Sequence, residues 1–316
     1  MSLDPVVGFF ILGLLAGLLR SDLKLSTGLS DTLSIYLLIA IGLKGGIELS
    51  HASVAELAAP IAVAVLMSAG TPLLAFPLLR RMGRLDRPDA ASIAAQYGSV
   101  FVLTFAVGAS YLGAQGVVYE GYMSVLLVFL EFPALIIGVL LAKGISRQTD
   151  WGVLGREVLA GKAIVLLAGA LAVGWIWGSD GNQWLVRFYG DMFKGFLSLF
   201  LLGMGVLTAS RIDDLRRTGK FLIGYGIVMP MVSAVGGVLI GWGLGLTLGG
   251  ATLLAILYAS ASYIAAPAAM RIAIPEANPA LSLGASLGVT FPFNVLIGVP
   301  LYHQMARAAY AFLGAP

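Results

Sequence analysis

The amino-acid sequence predicts an all-α integral membrane protein in which ten transmembrane helices form two inverted repeats of five helices. Three observations lead to this fold class: an apolar composition, ten separate apolar runs, and an uneven distribution of Lys and Arg among the loops. Hydrophobic residues make up 59% of the 316 residues and charged residues 11%, whereas a soluble domain is about 25% charged. A soluble core of this size does not bury so much apolar surface, so the lipid bilayer is the expected solvent.

Five apolar runs lie in each half of the chain. The first five cover residues 5–19, 30–49, 54–80, 89–111 and 121–143, and the second five cover residues 157–177, 191–209, 219–246, 250–270 and 280–312. Most of these runs reach the roughly 20 residues that a helix needs to cross a bilayer. The first run has no basic segment before it, and we interpret it as a short helix, not as a signal peptide.

The basic residues predict that both termini lie outside the cell. In that orientation the cytoplasmic loops are 20–24, 80–87, 143–162, 211–220 and the turn at Arg271, and they contain fifteen of the 19 Lys and Arg residues. Cytoplasmic loops of membrane proteins are enriched in Lys and Arg. Because the cations lie in short loops between apolar runs, we expect no nucleic-acid partner. Lys44 lies near the outer end of the second run, and we interpret it as a side chain that reaches towards the membrane surface.

The two halves, residues 1–148 and 149–316, are predicted to be related repeats. Each half has an odd number of helices, so the two halves cross the membrane in opposite senses. Inverted repeats are typical of secondary transporters, whose substrate site lies near the midplane where the repeats meet. A shift of 161 residues aligns three pairs, namely Gly42 with Gly203, Tyr97 with Tyr258 and Ser99 with Ser260, and a nearby shift aligns Phe132-Pro133 with Phe291-Pro292.

The fourth and ninth runs, which are equivalent in the repeat, each contain a polar stretch that weakens a helix in the middle of the membrane. We expect two broken helices that cross near the midplane, with half-helix N-termini facing a small anion and carbonyl ends facing Na⁺. The alternative is close packing of small residues, with each Ser bonded to its own helix. The predicted substrate-binding residues are Gly98, Ser99, Thr104, Ala259, Ser260 and Ser262.

Glu131 is the one ionisable residue between Glu120 and Lys143, and it lies near the middle of the fifth run. A charged side chain at the centre of a membrane helix costs at least about 2.5 kcal/mol, so Glu131 is a candidate functional residue. It is predicted to bind Na⁺ or to carry a proton; the alternative is a protonated carboxyl bonded to a neighbouring helix. In the second half, uncharged oxygen atoms are available near the equivalent position. The predicted sodium-binding residues are Ser99, Glu131, Ser260, Thr290 and Asn294.

The sequence argues against an enzyme. It contains no Cys and only two His, which excludes disulfides and thiol chemistry and disfavours any metal site other than one for Na⁺. No phosphate-binding loop follows a strand, and no nucleophile and base are spaced for catalysis. We therefore expect no organic cofactor.

Several segments resemble one family. They read YASASYIAAPAAMR at 258–271, IPEAN at 274–278, LGVTFPFN at 287–294 and GVPLY at 298–302, with GLKGG at 42–46, YGSV at 97–100 and EFPA at 131–134. They resemble the sodium-dependent bicarbonate transporters of the SbtA type, over nearly the whole chain. The resemblance implies a gate and a core domain, a homotrimer in the inner membrane, and Na⁺-coupled bicarbonate uptake where two broken helices cross. It also implies control by a nucleotide-binding PII-like protein that docks from the cytoplasm.

One departure from the family pattern concerns the substrate. Phe101 stands where relatives commonly carry a second Ser, and Leu103 stands where a small or polar residue is expected. The loss of hydroxyls beside the anion keeps another small anion open as the substrate. Two further alternatives are a cation/proton exchanger that uses Glu131 and a membrane receptor for a PII-like regulator.

Overall fold

A computed structural model describes residues 4–50, 54–144, 152, 155–156, 159–177 and 183–314. Within these ranges the protein is helical and contains no strand. The helices are α1 (Pro5–Leu18), α2 (Thr27–Leu49), α3 (Val54–Arg81), α4 (Arg87–Gly98), α5 (Val102–Ala114), α6 (Leu126–Lys143), α7 (Lys162–Trp177), α8 (Phe193–Ser210), α9 (Gly219–Gly243), α10 (Leu248–Tyr258), α11 (Ala265–Ala273) and α12 (Pro279–Leu313).

The helices lie at the ten apolar runs, and the fourth and ninth runs each contain two helices, α4 with α5 and α10 with α11. Seven helical segments in the described part of the chain are long and apolar enough to cross a membrane, and α1, α7 and α10 are shorter apolar helices. The predicted all-helical membrane fold is confirmed, and the ten-span topology stays a prediction. The seven segments are Thr27–Leu49, Glu56–Arg81, Arg87–Ala114, Gly121–Lys143, Arg187–Ser210, Gly219–Gly243 and Pro279–Leu313.

Local sequence signals fix several helix boundaries. The Asp4 carboxylate accepts the Val6 N–H at 3.0 Å at the start of α1. The Ser26 hydroxyl accepts the Leu29 N–H at 3.2 Å at the start of α2. Both residues satisfy N–H groups that have no partner inside the helix. Before α9, the chain is helical from Ile212, but Gly219 has φ 81° and ψ 157°, so two helices meet there. A left-handed φ of this kind favours glycine.

The helices form two groups. The first group, which we call the gate group, contains α1, α2, α7 and α8, and α1 packs on α8 while α2 packs on α7. Both contacts need glycine, because a Cβ on Gly13 would clash with the Leu202 carbonyl oxygen and a Cβ on Gly174 with that of Leu43. Gly13 and Gly174 are separated by the same 161 residues as the predicted repeat.

The remaining helices form the second group, which we call the core group. Here α4 packs between α3 and α6, and α10 packs between α9 and α12. The shift of 161 residues relates α3 to α9, α4 to α10 and α6 to α12. The contacts of α4 with α3 and α6 therefore correspond to the contacts of α10 with α9 and α12. In α12, π-helical segments at Ser286–Thr290 and Asn294–Gly298 flank Phe291–Phe293. Such π-helical turns inside helices occur frequently at functional sites.

The described ends of the chain lie together at one end of the molecule, which we call the termini end. It includes the C-terminal ends of α2, α5 and α9. The hydrogen bonds that connect its segments include Ser110 Oγ to Asp4 (2.8 Å), Thr247 N–H to Glu120 (2.6 Å), Tyr310 OH to Leu246 O (2.7 Å) and Trp242 Nε1 to Gly314 O (2.9 Å).

Candidate functional site

Two helices are broken where the sequence predicts. α4 ends at Gly98, Ser99 and Phe101 are extended, and α5 begins at Val102. In the second half α10 ends at Tyr258 and α11 begins at Ala265. The predicted breaks are therefore confirmed, and each leaves carbonyl groups at one helix end and N–H groups at the next helix start without intrahelical partners.

The two breaks contact each other. The Ser262 N–H donates to the Gln96 carbonyl oxygen at 2.9 Å. The Phe101 N–H donates to Ser260 Oγ at 3.2 Å, and Ser260 Oγ donates to the Leu257 carbonyl oxygen at 2.7 Å. The Ser260 hydroxyl thus bonds to its own helix, as the packing alternative predicts, and also joins the C-terminal end of α10 to the start of α5.

Glu131 lies beside the breaks. Its side chain is 5% exposed, and the hydroxyls of Ser99 and Ser262 interact with its carboxyl group. Ser262 Oγ also accepts the Ala266 N–H at 3.2 Å in the first turn of α11. The structure therefore brings three of the predicted site residues, one from each break and one from α6, to the same place.

Ser68 on α3 bonds to both ends of the turn of α6 that carries Glu131. Ser68 Oγ donates to the Leu130 carbonyl oxygen at 2.6 Å and accepts the Ala134 N–H at 3.2 Å. In an unbroken α-helix these two groups bond directly to each other. A hydroxyl that bonds to both groups can share or replace this main-chain bond. Ser68 on α3 therefore sets the backbone on both sides of Glu131, a role that the sequence analysis did not foresee.

Gln96 is a second residue that the sequence analysis missed. Its side chain is fully buried, and neither its amide nitrogen nor its amide oxygen has a hydrogen-bond partner among the described residues. Ser99 Oγ lies near the Glu131 carboxyl but likewise forms no well-aligned hydrogen bond. Since an unpaired buried polar group costs about 1–3 kcal/mol, this end of α4 is suited to a ligand. The available signal was an uncharged polar residue within an apolar run, directly before Tyr97-Gly98-Ser99.

Thr290 and Asn294 contact the broken helices at other points. Thr290 Oγ1 donates to the Gly226 carbonyl oxygen at 2.7 Å and shares a 2.6 Å hydrogen bond with the Tyr97 hydroxyl. Asn294 Nδ2 donates to the Ala259 carbonyl oxygen at 2.7 Å, and its Oδ1 accepts the Tyr302 hydroxyl at 2.7 Å. Their described hydrogen bonds lead to Tyr97 and Ala259, not to Glu131, so in this conformation both predicted sodium ligands are engaged by the protein.

Gly98 and Thr104 lie next to the first break. A Cβ on Gly98 would lie 2.6 Å from Pro72 Cδ and 2.8 Å from Ala134 Cβ, so this glycine permits close packing of α4 against α3 and α6. The Thr104 N–H donates to the Phe101 carbonyl oxygen at 3.0 Å in the first turn of α5. Gly98 therefore fits the packing alternative, whereas Thr104 helps to start the second half-helix.

Phe101 belongs to an aromatic cluster between the breaks and the gate group. Its ring centroid lies 4.2 Å from that of Tyr263 and 5.4 Å from that of Phe291. Phe10 on α1 packs edge-on against Phe291 at 5.7 Å, and the Tyr263 hydroxyl contacts Met204 Sδ on α8 at 2.9 Å. Phe101 thus fills space beside the site and connects the broken helices to the gate group.

The oxygen atoms at the breaks suit a monovalent hard cation. One carboxylate, two hydroxyls and one amide oxygen come from Glu131, Ser99, Ser262 and Gln96. Hard cations prefer oxygen ligands. No group of three or more His, Cys, Asp and Glu side chains able to hold a metal ion occurs in the described ranges.

A comparison with known protein families matches residues 5–307 of the chain to a family model. This region includes both breaks, Glu131 and most of α12. No curated protein matches the chain. The matched family is described by Na⁺-dependent transport of bicarbonate, in agreement with the motifs and with the oxygen-rich site. The chain belongs to the Na⁺-dependent bicarbonate transporter superfamily.

Proposed function

We propose that this protein is a secondary transporter that carries bicarbonate into the cell by symport with Na⁺. The family supports a transporter, not an enzyme, and supports sodium and bicarbonate as the transported ions. The observation that carries the proposal is the contact between the two broken helices beside a buried carboxylate, through Ser262 N–H and Gln96 O.

Sodium is proposed to bind at the Glu131 carboxylate. Ser99 Oγ and the Gln96 amide oxygen form no well-aligned hydrogen bond among the described residues and can complete the coordination with carbonyl groups at the end of α4. A buried carboxylate without a cation is costly, and a bound Na⁺ removes that cost. Thr290 Oγ1 and Asn294 Oδ1 each accept one hydrogen bond, from Tyr97 and from Tyr302, and keep a second lone pair that a sodium ion can use.

The anion is proposed to bind at the starts of α5 and α11. Helix N-termini offer free N–H groups and a partial positive charge, and Ser260 and Ser262 add hydroxyls. The side chains that meet at the breaks carry no positive charge, and an ionised Glu131 adds a negative one. An anion can therefore bind there only when Na⁺ offsets the charge, and this requirement couples the two ions.

Alternating access follows from the proposed inverted repeats, residues 1–148 and 149–316. The shift of 161 residues relates α1 to α7 and α2 to α8. The contact between α1 and α8 therefore corresponds to the contact between α7 and α2, which supports the repeat. In our proposal ten helices span the membrane, both termini lie outside, and the gate and core groups move relative to each other about the breaks.

The resemblance to the SbtA type supports three further proposals. The chain forms a homotrimer, lies in the inner membrane, and binds a PII-like regulator at its cytoplasmic face. Large apolar side chains are exposed on α1 and α7, where lipid or a neighbouring subunit can cover them, and they include Leu12, Leu15, Trp175 and Trp177.

Uptake of labelled bicarbonate into proteoliposomes tests the function. We expect uptake driven by an inward Na⁺ gradient and almost none when K⁺ replaces Na⁺. Equal uptake in both salts would reject symport. Competition by unlabelled nitrate, chloride or formate tests whether another small anion is preferred, as the presence of Phe101 in place of the family's Ser allows.

A second candidate is cation/proton exchange. It is favoured by the position of Glu131, whose described partners are hydroxyls of Ser99 and Ser262 and not a cation. A pH gradient would then drive Na⁺ uptake without bicarbonate, and Glu131→Gln would abolish it. If neither flux occurs while the protein binds a PII-like regulator, the receptor alternative is supported.

A further inference from the structure

A cavity of about 630 Å³ lies at the termini end, between the gate group and the core group. Its walls come from α2, from α5, from the turn at Gly121–Ser124 and from the segment that leads into α8. Phe105 and Ala109 on α5 also line it. Phe105 is four residues after Phe101, about 6 Å along a helix. The cavity therefore reaches within one helical turn of the first break.

Lys44 lines this cavity and is exposed in it. Its ammonium group lies 2.8 Å from the Tyr119 hydroxyl and 4.9 Å from the centroid of the Tyr119 ring. The interpretation of Lys44 as a side chain that reaches the membrane surface is therefore replaced by a place in the cavity wall. An ammonium has three donors, and the bond to Tyr119 uses one of them.

The backbone positions of the charged lining residues are ordered by depth. Glu48 and Asp191 are attached nearest to the termini end, and Lys44 and Lys194 are attached about one helical turn further in, on α2 and α8. Lys44 precedes Glu48 by four positions on α2, and Lys194 follows Asp191 by three positions at the start of α8. The two lysines are thus attached on the inner side of the two carboxylates, an order that favours a small anion in the inner part of the cavity.

Ser124 supplies a further donor. Its hydroxyl is buried, lines the same cavity and has no hydrogen-bond partner among the described residues. A lysine ammonium and a free hydroxyl are groups that a small oxyanion can use together.

We propose that this cavity is the entry vestibule of the transporter and that Lys44 and Ser124 hold a small monovalent oxyanion there before it passes to the breaks. This inference rests on the proposed function and adds a second anion site, outside the paired breaks. The ring of Phe101, packed against Tyr263 and Phe291, separates the two sites in this conformation.

The absence of Cys from the chain makes the test direct. Ala109→Cys places a single thiol in the cavity wall. In intact cells that express the full chain, its modification rate is measured with a membrane-impermeant anionic methanethiosulfonate and with a cationic one of similar size. The ratio of the two rates reports the local potential and does not depend on transport.

We expect Lys44→Gln to lower the anionic-to-cationic rate ratio by about tenfold at low ionic strength, because one unit charge is lost at short range. Lys44→Arg keeps the charge and should keep the ratio, as should Lys143→Gln, which removes one charge at the opposite end of the molecule. Bicarbonate should slow the modification of Ala109→Cys, and it should slow this modification much less when Ser124→Ala is added.

An unchanged ratio in Lys44→Gln, or a thiol at position 109 that is unreactive from outside, would overturn the vestibule. If Lys44→Gln fails to reach the membrane, the Ala109→Cys protein with Lys44 intact still tests the proposal. Salt near 1 M screens charges within about 3 Å, so it should make the rates of modification by the anionic and the cationic reagent more similar. Loss of Na⁺-driven uptake in the wild-type protein would reject the proposed function by a separate readout.

Discussion

The main-chain N–H of Ser262 donates to the carbonyl oxygen of Gln96 at 2.9 Å and thereby joins the break of the second half to the end of α4 in the first. The bond lies next to two buried groups that form no well-aligned hydrogen bond among the described residues, the Gln96 amide and the Ser99 hydroxyl, and next to the Glu131 carboxyl. A protein can tolerate such a group of unpaired atoms when a ligand completes it during function. The predictions below test this arrangement.

Replacement of Gln96 should separate binding from stability. In Gln96→Leu the unpaired amide is removed, so the apparent melting temperature of the purified protein should be unchanged or higher. The sodium concentration for half-maximal uptake should rise by about tenfold, the effect of losing about 1.4 kcal/mol of binding. Gln96→Asn keeps the chemistry with a shorter side chain and should be intermediate. A Gln96→Leu protein with wild-type sodium dependence would assign Gln96 to packing.

Replacement of Glu131 should change the number of sodium ions. With an ionised carboxylate and one bicarbonate, the site carries two negative charges, and about two Na⁺ are needed to balance them, since buried charges require compensation. Glu131→Gln removes one charge, so the ratio of labelled Na⁺ to labelled bicarbonate taken up should fall from about two to about one. The same ratio of Na⁺ to bicarbonate in both proteins would assign Glu131 a structural role. Loss of a pH-driven sodium flux in Glu131→Gln would instead favour the cation/proton exchanger.

Ser68 should position Glu131 without touching the ions. In Ser68→Ala the Ala134 N–H can bond directly to the Leu130 carbonyl oxygen, which straightens the turn that carries Glu131. We expect half-maximal sodium to rise by about threefold to tenfold and the stability loss to stay near 1 kcal/mol, the net worth of a typical hydrogen bond. Ser198→Ala is the matched control, because Ser198 Oγ bonds only to a carbonyl of its own helix in the described contacts. An equal effect of both substitutions would argue against a positioning role.

The topology can be tested with two exposed positions. Val118 is 80% exposed at the termini end, and Met82 is 68% exposed in the loop between α3 and α4. In intact cells an impermeant thiol reagent should label Val118→Cys, and it should label Met82→Cys only after the cells are permeabilised. Labelling of Met82→Cys from outside would reverse the orientation that the basic loops predict.

Part of this protein is determined by the sequence alone. The ten apolar runs, the caps at Asp4 and Ser26 and the breaks after Gly98 and Tyr258 follow from the properties of neighbouring residues, and the structure contains each of them. These features are predictable because hydrophobicity, capping and helix propensity act over a few residues along one segment.

Other features depend on which distant surfaces meet. The insertion of Ser68 into α6, the burial of Gln96, the bond from Asn294 to Ala259 and the place of Lys44 in a cavity all join segments that are far apart in the chain. Thr290 and Asn294 show the difference, since the sequence offers their oxygen atoms for sodium and the packing of α12 engages them in hydrogen bonds. A polar side chain in an apolar helix must find its partner on another helix, and only the tertiary structure decides which helix that is.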